Sequence, residues 1–107
     1  TIEAKVLFDA DKLDSIGAIG AARALAVSVE KGLPFYTPPS VQFLKTGKIE
    51  KSEPHTAYHE YWFKLQHVKD RLLTETGQQM AQSRHVTMVT FFEELQKEYT
   101  GTLETVG

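Results

Sequence analysis

Over residues 4–29, apolar and small residues recur at helical spacing: Val6, Ala10, Leu13, Gly17, Gly20 and Ala24 form one stripe, with Leu7, Ile16, Ile19 and Ala22 beside it. No feature constrains the fold more, because this period cannot be laid on a strand and no period-two alternation occurs elsewhere in the chain. The pattern predicts one long helix. It is expected to break near residues 8–11, where Asp9 and Asp11 weaken helical preference, and again near Gly17 and Gly20, each costing about 1 kcal/mol relative to Ala in a helix interior. Gly17, Ala18, Gly20, Ala21 and Ala22 strip bulk from the helix surface, so close approach of another helix is expected.

The texture changes over residues 32–54, where Pro34, Pro38, Pro39, Gly47 and Pro54 punctuate Lys45, Lys48, Glu50, Lys51 and Glu53. This reads as a long connection, with residues 45–53 its more mobile part and Phe35 and Tyr36 docking on the body. A second helix is expected from Pro54 or Thr56 to Leu73, with Tyr58, Tyr61, Trp62, Leu65, Val68 and Leu72 on its buried face. A third begins near Thr76, where Thr76 and Gln79 fit a capping box, and exits at Gly101. Its apolar face would comprise Ala81, Val86, Met88, Phe91, Phe92, Leu95 and Tyr99. The fold class is all-α.

At 107 residues the chain holds one domain at most, since a single core usually takes roughly 100 residues. Twelve Lys plus Arg against 14 Asp plus Glu give a net charge of −2, so no nucleic-acid polymer or acidic membrane is expected as a partner. The absence of Cys excludes disulfides, thiolate nucleophiles and Cys-type zinc sites. No stretch approaches the roughly 20 apolar residues of a membrane span. The first residues lack a basic leader, a cleavage site and an initiating Met, which suggests a piece cut from a longer protein, with a cytoplasmic location.

The densest cluster of chemistry-bearing residues is Asp9-Ala10-Asp11-Lys12-Leu13-Asp14-Ser15. On a helix Asp11, Asp14 and Ser15 share a face at i, i+3 and i+4. Such oxygens suit Mg²⁺ or Mn²⁺, although one helix supplies only one or two of about six ligands. The same residues also fit an ordinary polar surface with Lys12 paired to a neighbouring acid.

The run from Phe8 through Asp9-Ala10-Asp11-Lys12-Leu13-Asp14, Gly17-Ala18-Ile19-Gly20 and Arg23 resembles the downstream signature of the HD-domain metal-dependent phosphohydrolases. It is most similar to the bacterial and fungal branch carrying Asp-Ala-Asp-Arg/Lys-Leu-Asp continued by Gly-Ala-Ile-Gly. The likeness extends more loosely through Thr74-Glu75-Thr76-Gly77 and Ser83-Arg84-His85. The resemblance implies that residues 1–107 are the C-terminal helices of a single HD-type helical bundle, with the long loop between its first and second helices. It implies a divalent metal, Mn²⁺ or Mg²⁺, held by a His, a His-Asp doublet and a final Asp that matches Asp11. It further implies hydrolysis of a small phosphorylated substrate such as a nucleotide, with Lys12, Asp14 and Arg23 at substrate phosphates or supporting the ligands.

No His-Asp dipeptide is present: the four histidines precede Thr56, Glu60, Val68 and Val86. The chain alone is therefore expected to be inert, the missing upstream half of the domain being supplied in cis or in trans. His59 stands one residue early for the branch's helix-two histidine and is not carried over. His55 and His59, at i and i+4, could chelate a metal but more simply form a solvated surface. His67 belongs on a polar face, and His85 is either a packing histidine or a phosphate contact. The aromatic side chains at helical spacing, Phe63 among them, are expected in the core.

Two functions follow, a metal-dependent phosphohydrolase to which this chain contributes Asp11, or a non-catalytic helical interaction module. In either case the small core should leave apolar surface exposed, so the isolated chain is expected to aggregate or form a homodimer.

Overall fold

The computed structural model describes residues 1–101, which form five α-helices and one 3-10 segment, with no strand among the described residues. The all-α expectation holds. The helices are α1 (Ile2–Leu13), α2 (Gly17–Glu30), α3 (Val41–Thr46), α4 (Ala57–Phe63) and α5 (Glu75–Thr100), with the 3-10 segment Leu65–Asp70 between α4 and α5. Helices α1, α2 and α4 pack against α5, which is the spine of the molecule.

The predicted first helix is two helices: the break expected near Gly17 falls at residues 14–16, directly before it, and none occurs at residues 8–11. Asp14 ends α1, and the Ser15 hydroxyl donates to the Lys12 carbonyl at 2.6 Å. Ile16 is extended and buried, and Gly17 opens α2 at φ +77°, a left-handed value that costs other residues energy. Gly20 is small for a local reason rather than for a partner helix, because a Cβ there would run into the Ser15 carbonyl. Ala21 is buried as expected, whereas Ala18 and Ala22 stay exposed.

The connection contains a helix of its own. Ser40 caps α3 by accepting from the Phe43 N–H at 3.0 Å, and Gly47 closes it in the left-handed conformation. Tyr36 docks as expected, edge-on to Tyr58 with centroids 4.9 Å apart, while the Phe35 carbonyl accepts from the Tyr58 N–H.

The second predicted helix stops at Phe63. The Gln66 side-chain amide takes the Trp62 carbonyl at 2.6 Å, and the chain continues as 3-10 while still burying Leu65 and Val68. Helix α5 starts two residues earlier than expected, capped by Thr74 in place of Thr76: its hydroxyl accepts from the Gly77 N–H at 2.9 Å. Gly101 ends α5 in the left-handed conformation, as the sequence implies. Ala81, Met88 and Phe92 face the core, and Phe92 stacks on Tyr61 at 4.6 Å. Val86 and Tyr99, expected inside, are 63% and 50% exposed, and Phe63 is half exposed against Gly47, because the buried stripe of α5 runs through residues 77, 81, 88 and 92.

Candidate metal-facing carboxylate and phosphate cleft

The acids of α1 have opposite fates. Asp9 faces inward, where Oδ1 accepts from the Leu73 N–H at 2.8 Å and Oδ2 from the Thr74 N–H at 2.8 Å and its hydroxyl at 2.6 Å. Burial raises the Asp9 pKa, but these hydrogen bonds outweigh it and hold the carboxyl below its ordinary value. The carboxylate thus ties α1 to the start of α5. Gly77 leaves room for it, since a Cβ there would collide with Oδ2.

Asp11 lies two residues on, about 200° around the helix, and is exposed, its carboxylate making no hydrogen bond or ion pair with the described residues. Lys12 lies 5.3 Å from the centroid of the Phe8 ring, a cation–π contact instead of the expected acid partner. Asp14 caps α1, and its carbonyl accepts from Arg23 Nη1 at 3.3 Å. Arg84, which sequence reasoning missed, donates from Nη1 to the Leu13 carbonyl at 3.0 Å. Two arginines thereby satisfy the last carbonyls of α1 and complement its negative end.

Arg23 also lines a cleft of about 270 Å³ between α2 and α4, together with Ser15, Lys31, His55 and Glu60 over a floor including Ala24 and Leu65. The structure therefore brings Arg23 and Ser15 to one concavity. Asp11 and Lys12 are not among its lining residues, and neither is His85. His85 is half-buried, and its Nδ1 is buried without a partner. Burial and the Lys69 and His67 charges lower its pKa against the opposing pull of Asp70.

The histidine pair is not a solvated surface. His59 is fully buried and completes the capping box of α4, a role usually filled by Glu or Gln. Its Nδ1 accepts from the Thr56 N–H at 3.3 Å, so Nε2 carries the proton and donates to Glu53 at 2.8 Å. Glu53 also accepts from the Ser40 N–H and hydroxyl and from the Glu50 N–H. Burial pushes the Glu53 carboxyl up, yet these donors prevail and bring it down to about 2. His55 is half-exposed and pairs with Glu60 at 3.0 Å, while His67 is exposed as expected. Neither Asp9 nor Glu53 could be assigned from sequence: the partners of Asp9 lie 64 and 65 residues away.

Among the described residues no three His, Cys, Asp or Glu side chains are grouped so as to hold a metal. Asp11 is a suitable hard-oxygen donor, but the described residues do not complete a ligand set around it. Also among the described residues, no helix is long and apolar enough to cross a membrane.

The architecture is that of an HD-like helical fold, matching a solved HD-superfamily hydrolase from Bacillus thuringiensis with a TM-score of 0.72 and 33% identity over 94% of this chain and 47% of that one. The chain is also 34% identical over 101 residues to the uncharacterized protein YpgQ of Bacillus subtilis, covering 94% of this chain and 42% of YpgQ. The YpgQ crystal structure superposes with a TM-score of 0.74 over 92% of this chain and 45% of that one, and YpgQ has also been solved in complex with ADP. No family model matches the chain. It spans about half the length of the proteins it matches.

Proposed function

We propose that this chain is the C-terminal part of a metal-dependent phosphohydrolase of the HD superfamily that acts on nucleotides or related phosphate esters and anhydrides. The observation carrying this reading is the match to the B. thuringiensis hydrolase at 33% identity and TM-score 0.72. Support comes from the ADP complex of the similar YpgQ and from an Asp11 carboxylate left facing solvent on a helix whose inward-facing acid, Asp9, is fully engaged.

In this reading Asp11 is one ligand of a divalent metal, Mn²⁺ or Mg²⁺, whose remaining ligands belong to the upstream part of the protein. Such a metal, when bound, polarises a phosphoryl oxygen and activates water. The residues of this chain have simpler tasks. Asp9 fixes the rotation of α1 and hence the direction of Asp11. Arg84 and Arg23 hold the C-terminal end of α1, and Arg23 presents its remaining guanidinium N–H groups to a substrate phosphate. Lys12 stays on Phe8 as a nearby positive charge, and Asp14 orients Arg23 through its carbonyl.

The test is Mn²⁺ titration calorimetry and phosphate release from nucleotides, performed on the protein that includes the upstream part. Asp11→Ala is expected to weaken Mn²⁺ binding at least about tenfold and to abolish turnover. Unchanged metal affinity in that variant removes the reading and leaves a helical interaction module.

A further inference from the structure

The cleft between α2 and α4 contains two cations that no acid among the described residues pairs with. Arg23 and Val27 of α2 and its capping residue Lys31 recur at i, i+4 and i+8, which sets the two charged residues roughly 12 Å apart along one stripe of the helix. Arg23 makes one hydrogen bond, to the Asp14 carbonyl, and a guanidinium has further N–H donors to offer. Neither Arg23 nor Lys31 forms an ion pair with the described residues. The acid on the facing wall, Glu60, hydrogen-bonds His55 at 3.0 Å and is approached by Lys64 at 3.8 Å, and as a single charge it does not balance the two cations. The unbalanced charge of the cleft is positive.

Between the two cations the floor is small and apolar, formed by Gly20, Ala24, Val27 and Leu65. A cationic pair flanking an apolar trough recognises a dianionic group attached to a flat or apolar body. The volume, about 270 Å³, lies just under the roughly 300 Å³ at which pockets begin to enclose drug-sized ligands, so a mononucleotide would be held there with part of it open to solvent. Ser15, on the rim, follows Asp11 by four residues, so the cleft adjoins the end of the helix that carries the proposed metal ligand.

We infer that this cleft holds a nucleoside-monophosphate-sized organic phosphate, its phosphoryl group between Arg23 and Lys31 and its body against Ala24, Val27 and Leu65. The inference deepens the hydrolase reading, and rests on it for the cleft's role as a substrate or product subsite.

The experiment is calorimetric titration of the full chain with AMP, adenosine and inorganic phosphate, in EDTA so that no metal takes part. AMP is expected to bind at least about tenfold more tightly than adenosine, and Arg23→Gln and Lys31→Gln are each expected to weaken AMP about fivefold or more. Lys48→Gln, outside the cleft, should leave the affinity unchanged. Circular dichroism checks that each variant keeps its helices, and Lys31→Gln, which removes no described contact, serves if Arg23→Gln does not fold. Equal binding of adenosine and AMP, or AMP affinity indifferent to both substitutions, overturns the inference, as does failure of AMP to saturate the chain. AMP binding that persists while the longer protein releases no phosphate from nucleotides with Mn²⁺ supports the cleft and removes the hydrolase reading.

Discussion

Replacing Arg84 by Met isolates the energetic contribution of one cap at the end of α1. The Arg84 stem packs beside Gly17, where an added Cβ would come within 3.1 Å of the Arg84 Cβ, and the guanidinium donates to the Leu13 carbonyl at 3.0 Å. Methionine keeps an apolar stem of similar length and deletes only the charged head. A hydrogen bond from a charged donor contributes about 1.5–3 kcal/mol, and a cation at a helix C-terminus about 0.3–1 kcal/mol. The Arg84 side chain is only half-buried, so the lower parts of both ranges apply and the expected loss is about 2 kcal/mol. With a urea slope of about 1–3 kcal/mol per molar, the unfolding midpoint should move down by roughly 1 M. Far-UV circular dichroism with Trp62 fluorescence measures it, with Arg84→Lys expected between the two because it restores charge without the planar fork. If Arg84→Met unfolds with the wild type while Arg84→Ala does not, packing of the stem rather than capping holds this corner, and the reasoning is wrong.

Two further outcomes follow from the core and from the carboxylates. Phe92→Ala should cost about 3–5 kcal/mol, because the ring is fully buried and stacked on Tyr61; a loss below about 1 kcal/mol in urea unfolding would show that the α4–α5 contact is not where stability resides. Asp9 and Glu53 both titrate below their ordinary values, Glu53 at about 2, so each stabilises the fold fully above the unfolded carboxyl pKa and loses that contribution as pH falls through the folded one. Stability should therefore decline from about pH 5 toward pH 2, less steeply in Glu53→Gln, and a flat profile over that window refutes the hydrogen-bond assignment.

The helical class, the docking of Tyr36, the exit at Gly101 and the buried Tyr58, Tyr61, Leu65, Val68 and Leu72 were all legible from spacing and turn chemistry, which are local signals. What escaped was decided by partners distant in sequence. Thr74 outcompetes Thr76 as the cap of α5 because its hydroxyl also donates to Asp9, and no window around residues 74–79 contains Asp9. The break near Gly17 was legible, but the continuity of α1 through Asp9 and Asp11 was not, because Asp9 is anchored to Leu73 and Thr74. The burial of His59 was not legible, because it depends on Glu53 arriving from the connection and on the imidazole completing the capping box of α4. Arg23 was marked by resemblance to a family motif, and Asp11 by that resemblance and by its helical spacing to Asp14 and Ser15. The cleft that Arg23 shares with Lys31 required the fold.

The pairing of Ser40 with Glu53 has a consequence for the segment between them. Two hydrogen bonds, at 2.9 and 2.7 Å, join the departure and return points of a 14-residue excursion. The excursion is closed at its neck, as an Ω-loop is, but around the short helix α3. Gly47 still packs against Phe63 of α4, but residues 48–52 are all exposed, and none of them lines the cleft or hydrogen-bonds Asp11. Evolution or an engineer could lengthen that stretch, or splice in a reporter peptide, without disturbing either.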